Sequence, residues 1–329
     1  MGRTRRAWVS QSAGSFHIIS RVAGGEIILH EQEKEYFMKL LERFASGFFV
    51  QIHAFCVMGN HFHILASGLE QEAQKASKQE LLERYKRLYP KETEPPPGSY
   101  QPNGDLIPDE DGGIERLRER LGSISRFVQE LKQSFSRWFN KIHHRKGYLW
   151  SDRFKGVILS KGEAQLMCSA YIDLNPVRAN MVRRPEEYRW CSLGLGVRNA
   201  KRAGKLLTLL SVSPEDDWSG AASEIVEKFK SLKPDSLAWY RVFVYCLGGI
   251  ECEGKARISS DILDKVVSYH GKLGIGDCFR YRVRNISEGL AMGSHDFIAG
   301  IQDKFQRKFI RPRSFLSGHF LYSTRVLRE

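Results

Sequence analysis

Two histidines at i and i+2, in Asn60-His61-Phe62-His63-Ile64-Leu65, are the most unusual local feature of the chain. On a strand such residues point to one face, so His61 and His63 project together while Phe62 and Ile64 turn to the opposite, core-facing side. Two adjacent imidazoles can chelate a divalent metal. The same pattern also describes a pair of half-exposed polar residues on an amphipathic strand. A second unusual stretch, YIDLNPVRA, spans residues 171–179. Tyr171 and Asn175 are four apart, which puts a phenol and an amide oxygen on one helical face. Proline pushes the residue before it out of the helical region, so Asn175 is expected at the very end of its helix, before Pro176. Standing alone, Tyr171 reads as a boundary tyrosine rather than a nucleophile, and Asp173, off the Tyr171–Asn175 face, as an exposed carboxylate.

The elements that must position these residues follow from periodicity. Alternation around Phe16, Ile18 and Ser20 predicts a strand, and Tyr36, Phe37, Leu40, Leu41 and Phe44 fall at helical spacing. Residues 50–58 (VQIHAFCVM) alternate, Gly59-Asn60 supplies a turn, and 61–66 (HFHILA) return as a second strand of a hairpin. Phe127, Val128, Leu131, Phe135, Trp138 and Phe139 form a helical stripe; 154–159 (FKGVIL) are strand-like and 163–174 helical. The order β-α-β-β-α-β plus one helix predicts an α+β, ferredoxin-like domain with an antiparallel sheet. From about residue 196 the pattern changes: Gly194, Gly196 and the basic run 198–205 read as a linker into a mainly helical C-terminal domain. The expected division is therefore 1–195 and 196–329.

The 51 Lys+Arg against 38 Asp+Glu give a formal charge of +13 among 329 residues. That excess favours a polyanionic partner. It is unevenly spread: residues 1–69 carry net +2, 70–122 net −3, 123–195 net +7 and 196–329 net +7. The acidic stretch contains Pro95-Pro96-Pro97-Gly98 and the turn-rich 103–113, and reads as a solvated insertion whose first part, 74–88, can form a short charged helix. Arg126, Lys132, Arg137, Lys141, Arg145, Lys146, Arg153 and Lys155, with Trp138, Tyr148, Trp150 and Phe154 among them, are the types that combine phosphate pairing with base stacking, with about half of the aromatics expected to fill the core instead. His143-His144-Arg145-Lys146 reads either as a phosphate-facing helix end or as a solvated C-terminal cation cluster. His17 is ambiguous, and His53 alternates as a surface strand residue. Arg3, Arg5 and Arg6 read as a flexible basic arm or a plain basic tail. Six scattered cysteines without a CxxC pair argue against a zinc ribbon or disulfide scaffold and suit a reducing cytoplasm. No window approaches ~18 uninterrupted apolar residues, which argues against a membrane span.

The stretches MGNHFHIL (58–65), RKGYLWSDRF (145–154) and YIDLNPVRA (171–179), with Trp190-Cys191-Ser192 behind them, resemble the single-strand tyrosine transposases of the HUH superfamily, and within them the REP-associated tyrosine transposases. The resemblance covers roughly residues 5–69 and 120–195, and weakly 282–297. It implies that His61 and His63 hold Mg²⁺ or Mn²⁺, with Asn175 as a third ligand one helical turn beyond Tyr171. It implies that Tyr171 is the nucleophile, displacing the 3′-oxygen of single-stranded or hairpin DNA and leaving a 5′-phosphotyrosine. Metal identity rests on the resemblance, because two-histidine sites also suit zinc. A nucleoid-associated, cytoplasmic location follows from the same reading, with monomer and homodimer both open. Two rivals stand beside it: a domesticated DNA-binding protein without cleavage, and a phosphohydrolase acting on small nucleotides without need of Tyr171.

Overall fold

Four strands form an antiparallel sheet in the order β2-β3-β1-β4 in the computed structural model, which describes residues 15–89, 113–208, 220–228 and 236–273, with short pieces beyond. They are β1 (Ser15–Arg21), β2 (Val50–Val57), β3 (His61–Gly68) and β4 (Lys155–Leu159). The chain divides into two compact units: residues 1–172 with 205–210, and 173–204 with 211–329.

In the first unit, α1 (Glu31–Gly47) begins where the His30 backbone N–H donates to Glu33 Oε2 at 2.9 Å, and buries Phe37, Leu40, Leu41 and Phe44 at the expected spacing. The β2–β3 hairpin closes through Gly59-Asn60, with Met58 N–H donating to the His61 carbonyl at 2.8 Å. A register shift between Ile52 and Ala54 makes His53 the extra residue of a bulge. Helix α5 (Ile124–Ile142) starts at Ser123, whose hydroxyl accepts from Arg126 N–H, and lays its apolar stripe on the side of the sheet that carries Phe62. Phe37 meets Phe62 at 4.8 Å between ring centroids, Phe135 meets Phe37 at 5.3 Å and Trp150 meets Phe62 at 5.3 Å. Each such ring removed from water contributes about 1.5–3 kcal/mol, so this aromatic layer holds α1 and α5 to one face and leaves the other for the histidines.

The acidic insertion is more structured than a solvated excursion. It forms α2 (Glu70–Lys75), α3 (Lys78–Leu88) and α4 (Gly113–Gly122), and α3 buries Leu81, Tyr85 and Leu88. Arg120 pairs with Glu130 of α5 at 2.6 Å, and the Tyr89 hydroxyl donates to the same carboxylate. Residues 90–112, which hold the Pro- and Gly-rich segments, lie outside the described residues.

Helix α6 (Glu163–Arg178) passes through Pro176 instead of stopping before it. The Asn175 carbonyl accepts from Ala179 N–H at 2.9 Å, so Asn175 has helical surroundings. One missing proline N–H is an affordable loss where the following residues keep bonding back. The expected linker is likewise helical: α7 (Ser192–Arg198) and α8 (Ala200–Leu206), with Gly194, Gly196 and Val197 buried. A Cβ at Gly194 would lie 2.0 Å from the Tyr188 carbonyl oxygen, so this glycine serves close packing and not chain flexibility.

The side chains of Asp173, Arg178 and Glu186, in the stretch assigned above to the first domain, bond within the second unit. Arg178 donates to the carbonyls of Leu247, Ile250 and Ala256, which closes the end of α10 (Leu237–Gly249). Glu186, buried beside a 3₁₀ turn at Pro185–Glu187, pairs with Arg241 at 2.6 Å and accepts from Tyr245 at 2.7 Å. The unit also contains α9 (Gly220–Lys228), α11 (Ser260–Ser268) and a small antiparallel sheet of β5 (Ala291–Gly293), β6 (Arg313–Ser314) and β7 (Tyr322–Thr324) in the order β5-β7-β6. The mainly helical reading therefore holds with a β element added. Among the described residues no helix is long and apolar enough to cross a membrane.

Asp173 is fully buried, where an exposed carboxylate was expected. Its Oδ1 accepts from Leu193 N–H at 2.9 Å and its Oδ2 from the Tyr240 hydroxyl at 2.7 Å. Burial outweighs these bonds and pushes its carboxyl up to about 6. The folded carboxyl thus keeps its proton to a higher pH than the unfolded one. The associated stability is full below about pH 4 and is lost as pH rises through 6, by about 2–3 kcal/mol. Asp173→Asn keeps the bond from Leu193 N–H, reverses the other so that Nδ2 donates to the Tyr240 hydroxyl oxygen, and removes the charge. Urea unfolding from pH 4 to 7.5 should show the variant free of that decline and more stable than the parent at pH 7.5; equal slopes would mean an ordinary carboxylate.

Candidate active site

Strand register brings three histidines together. Directly opposed residues of an antiparallel pair share a face, and β1 sets Arg21 opposite His61, Ile19 opposite His63 and His17 opposite Leu65. His17 is therefore diagonal to His63, within side-chain reach. Its Nε2 lies 2.9 Å from His63 Nδ1, with the rings stacked at 5.1 Å between centroids. His61 and His63 stand edge to face at 5.0 Å. Tyr171, carried over this face by α6, presents its ring at 5.8 Å from both His17 and His63. Its side chain is 53% exposed, whereas His63 is 4% exposed.

The hydrogen bonds decide which nitrogen of His61 is free. Asn60 Nδ2 donates to the Gly25 carbonyl at 2.8 Å, which turns Asn60 Oδ1 toward His61 Nδ1 at 2.6 Å. A carboxamide oxygen only accepts, so His61 Nδ1 carries the hydrogen and its Nε2 keeps a lone pair. In the His17–His63 pair one of the facing nitrogens carries the hydrogen; with His63 as donor, its Nε2 keeps a lone pair too.

Burial disfavours the charged form of all three rings. It lowers His17 to about 4. Burial, with the Arg21 guanidinium adding to it, lowers His61 to about 4. Burial, then the neighbouring His61, His17 and Arg21, lowers His63 to about 3. Neutral imidazoles are the form that ligates a metal. Among the described residues no group of three or more His, Cys, Asp or Glu could hold an ion, so carboxylates and thiols do not complete this pair.

The cations fall on different surfaces. Arg126, Arg137 and Lys141 are exposed on α5, which covers the sheet face opposite the histidines. Lys132 is 8% exposed and donates to the Asp152 carbonyl at 2.8 Å, so its ammonium is occupied inside the unit and not presented to phosphate. Lys155 is exposed and opposite Ile19, on the histidine face. Arg145, Lys146 and Arg153 are exposed on the segment from α5 to β4. His143 pairs with Glu33 at 3.0 Å and packs on Phe139, so it ties α5 to the start of α1. His53 bonds Thr208 and Ser67, away from the histidine cluster. Arg3, Arg5 and Arg6 lie outside the described residues.

Sequence reasoning missed His17 and Arg21. The alternation of β1 placed them on one face, but only its pairing with β3 showed that this face is the one of His61 and His63.

No protein-family model matches the sequence, and no curated protein does. Among solved structures, the chain is similar to a REP-associated tyrosine transposase bound to a REP hairpin, with a TM-score of 0.38 and 14% identity over 67% of this chain and 96% of that one. At that level the likeness does not decide the chemistry. The chemical argument rests on the histidine cluster and Tyr171.

Proposed function

We propose that the chain is a metal-dependent single-stranded DNA endonuclease and strand transferase acting at hairpin-forming DNA, with Tyr171 as nucleophile. The observation that carries this reading is a half-exposed phenol held 5.8 Å, ring to ring, from a histidine whose partner on the same face keeps its Nε2 lone pair. The strand order supports a ferredoxin-like reading of the first unit.

His61 and His63 would hold the divalent ion, Mg²⁺ or Mn²⁺, through Nε2; Asn175 is offered as a third donor on helical spacing alone, four residues after Tyr171. When bound, such an ion polarises a non-bridging oxygen of the scissile phosphate. The chain's own residues do the rest. Tyr171 Oη attacks phosphorus, an Oη–P bond forms, the P–O3′ bond breaks, and the proton released by the phenol to solvent is balanced by one taken from solvent by the departing 3′-oxygen, which leaves as a hydroxyl. The 5′-phosphotyrosine conserves the phosphodiester energy, so attack by another 3′-hydroxyl reverses the step and joins strands without ATP. Arg21 and Lys155 lie on the histidine face, and in this reading they would meet phosphate charge.

The test is to incubate the full chain with labelled hairpin DNA bearing single-stranded flanks, with Mg²⁺ or Mn²⁺, and resolve the products on a denaturing gel. A protein–DNA adduct with a free 3′-hydroxyl fragment is expected. Binding without any adduct would overturn the enzyme reading in favour of a DNA-binding protein.

A further inference from the structure

Of the four aromatics that accompany the basic residues between α5 and β4, three are taken up by the fold. Trp150 and Phe154 are buried, and Trp138 stacks on Tyr36 at 3.9 Å. Tyr148 is 93% exposed, the largest exposure among the large hydrophobic residues of the described chain.

The backbone around this ring is held on both sides. Asn140 Nδ2 donates to the Gly147 carbonyl at 2.9 Å, and Arg145 N–H to the Asn140 carbonyl at 2.9 Å. Gly147 takes φ +94°, a conformation that side chains with a Cβ rarely adopt, and so turns the chain sharply just before Tyr148. On the other side Leu149 and Trp150 are buried. Ala23 N–H donates to the Leu149 carbonyl at 2.8 Å, Ser151 N–H to the Arg21 carbonyl at 3.0 Å, and Val22 pairs with Trp150. The backbone that carries this ring therefore has little conformational freedom left to lose on contact.

The same bonds fix where this stretch of backbone stands. Arg21 is opposite His61, and Val22 N–H donates to the Asn60 carbonyl at 2.8 Å. Trp150 therefore lies across Val22 from Asn60, at two strand spacings, roughly 10 Å. Tyr148 follows at the histidine end of the sheet, with Arg145 and Lys146 exposed beside it and Lys155 exposed on the histidine face.

We propose that Tyr148 is a stacking platform for an unpaired base of single-stranded DNA whose neighbouring phosphates are met by Arg145 and Lys146. An aromatic face next to cations suits a nucleobase with its phosphate better than an apolar protein segment, which the charges would oppose. The inference rests on the DNA reading above and adds the residue that selects unpaired over paired nucleic acid near the cleavage site.

The test measures binding of the full chain, without metal, to a fluorescent hairpin oligodeoxynucleotide with a single-stranded tail and to a blunt duplex of the same stem. Tyr148→Ala should weaken binding to the tailed hairpin by about 5- to 150-fold, leave the salt dependence unchanged, and leave the blunt duplex unaffected. Tyr148→Trp should restore tailed-hairpin affinity to within about threefold of the parent. Arg145→Ala should instead lower the salt slope. A Tyr148→Ala chain that binds the tailed hairpin as the parent does, or loses the duplex equally, overturns the stacking role while the DNA reading stands. A parent chain that binds neither DNA overturns both. The ring packs against nothing that the fold needs, so loss of folding does not confound the variant.

Discussion

Tyr171→Phe should abolish the covalent protein–DNA adduct and reduce strand cleavage by at least about 10³-fold, because the phenol oxygen is the atom that would bond to phosphorus. The ring itself is kept, and with it the edge contacts to His17 and His63 at 5.8 Å. The side chain is half-exposed, so stability should change by less than about 0.5 kcal/mol and DNA affinity hardly at all. That combination of full binding, native melting behaviour and no adduct separates a lost nucleophile from a damaged fold. Cleavage that survives the substitution would mean that water, and not Tyr171, attacks the phosphate. The chain would then be a phosphohydrolase.

Mn²⁺ binding should remain nearly constant between pH 8 and about pH 5 and fall only below pH 4. An ordinary pair of histidines, each with pKa near 6.5, loses roughly 10³-fold in affinity between neutrality and pH 5, since both rings must shed a proton to ligate. Here burial holds His61 near 4 and His63 near 3, so at pH 5 proton competition is slight. The sign for folding is the same: the depressed values give stability that is present above pH 6.5 and is lost on acidification toward pH 4 to 3. Calorimetric titration of the full chain with Mn²⁺ at stepped pH reads this directly. His63→Ala should cost at least about 100-fold in affinity, and Asn60→Ala about 10- to 100-fold, because the latter leaves both imidazoles in place but removes the acceptor that keeps the hydrogen on His61 Nδ1, together with the Nδ2 bond to the Gly25 carbonyl. An affinity that drops steeply from pH 7 to 6 would mean solvated, ordinary rings. Unchanged binding in His63→Ala would remove the pair from the metal site.

Much of this site is readable in one dimension, and the readable part has a common cause. The period of two in β3 puts His61 and His63 on one face and Phe62 and Ile64 on the other, whatever the rest of the chain does. The stripe of α5 and the Gly59-Asn60 turn are local in the same way. Local rules misjudged Asn175 and Asp173. The bias against helix before proline is small enough for the continuing bonds of α6 to override it, and burial of Asp173 depends on Leu193 and Tyr240, which lie 20 and 67 residues away.

By itself, then, the sequence determined the face shared by the two histidines, the helix that carries Tyr171 and the α+β order of elements, because each follows from spacing along one strand or helix. Tertiary structure alone decided their company. His17 joins His63 across 46 residues through the β1–β3 register, a pairing in which a slip of one residue would turn its ring to the other face. The layer packing placed Arg126, Arg137 and Lys141 on the far side of the sheet, withdrew Lys132, and left Tyr148 alone of its aromatic neighbours in water. Periodicity states which residues of one element share a face; which strands become neighbours, and which layer covers them, is settled by burying all the faces at once.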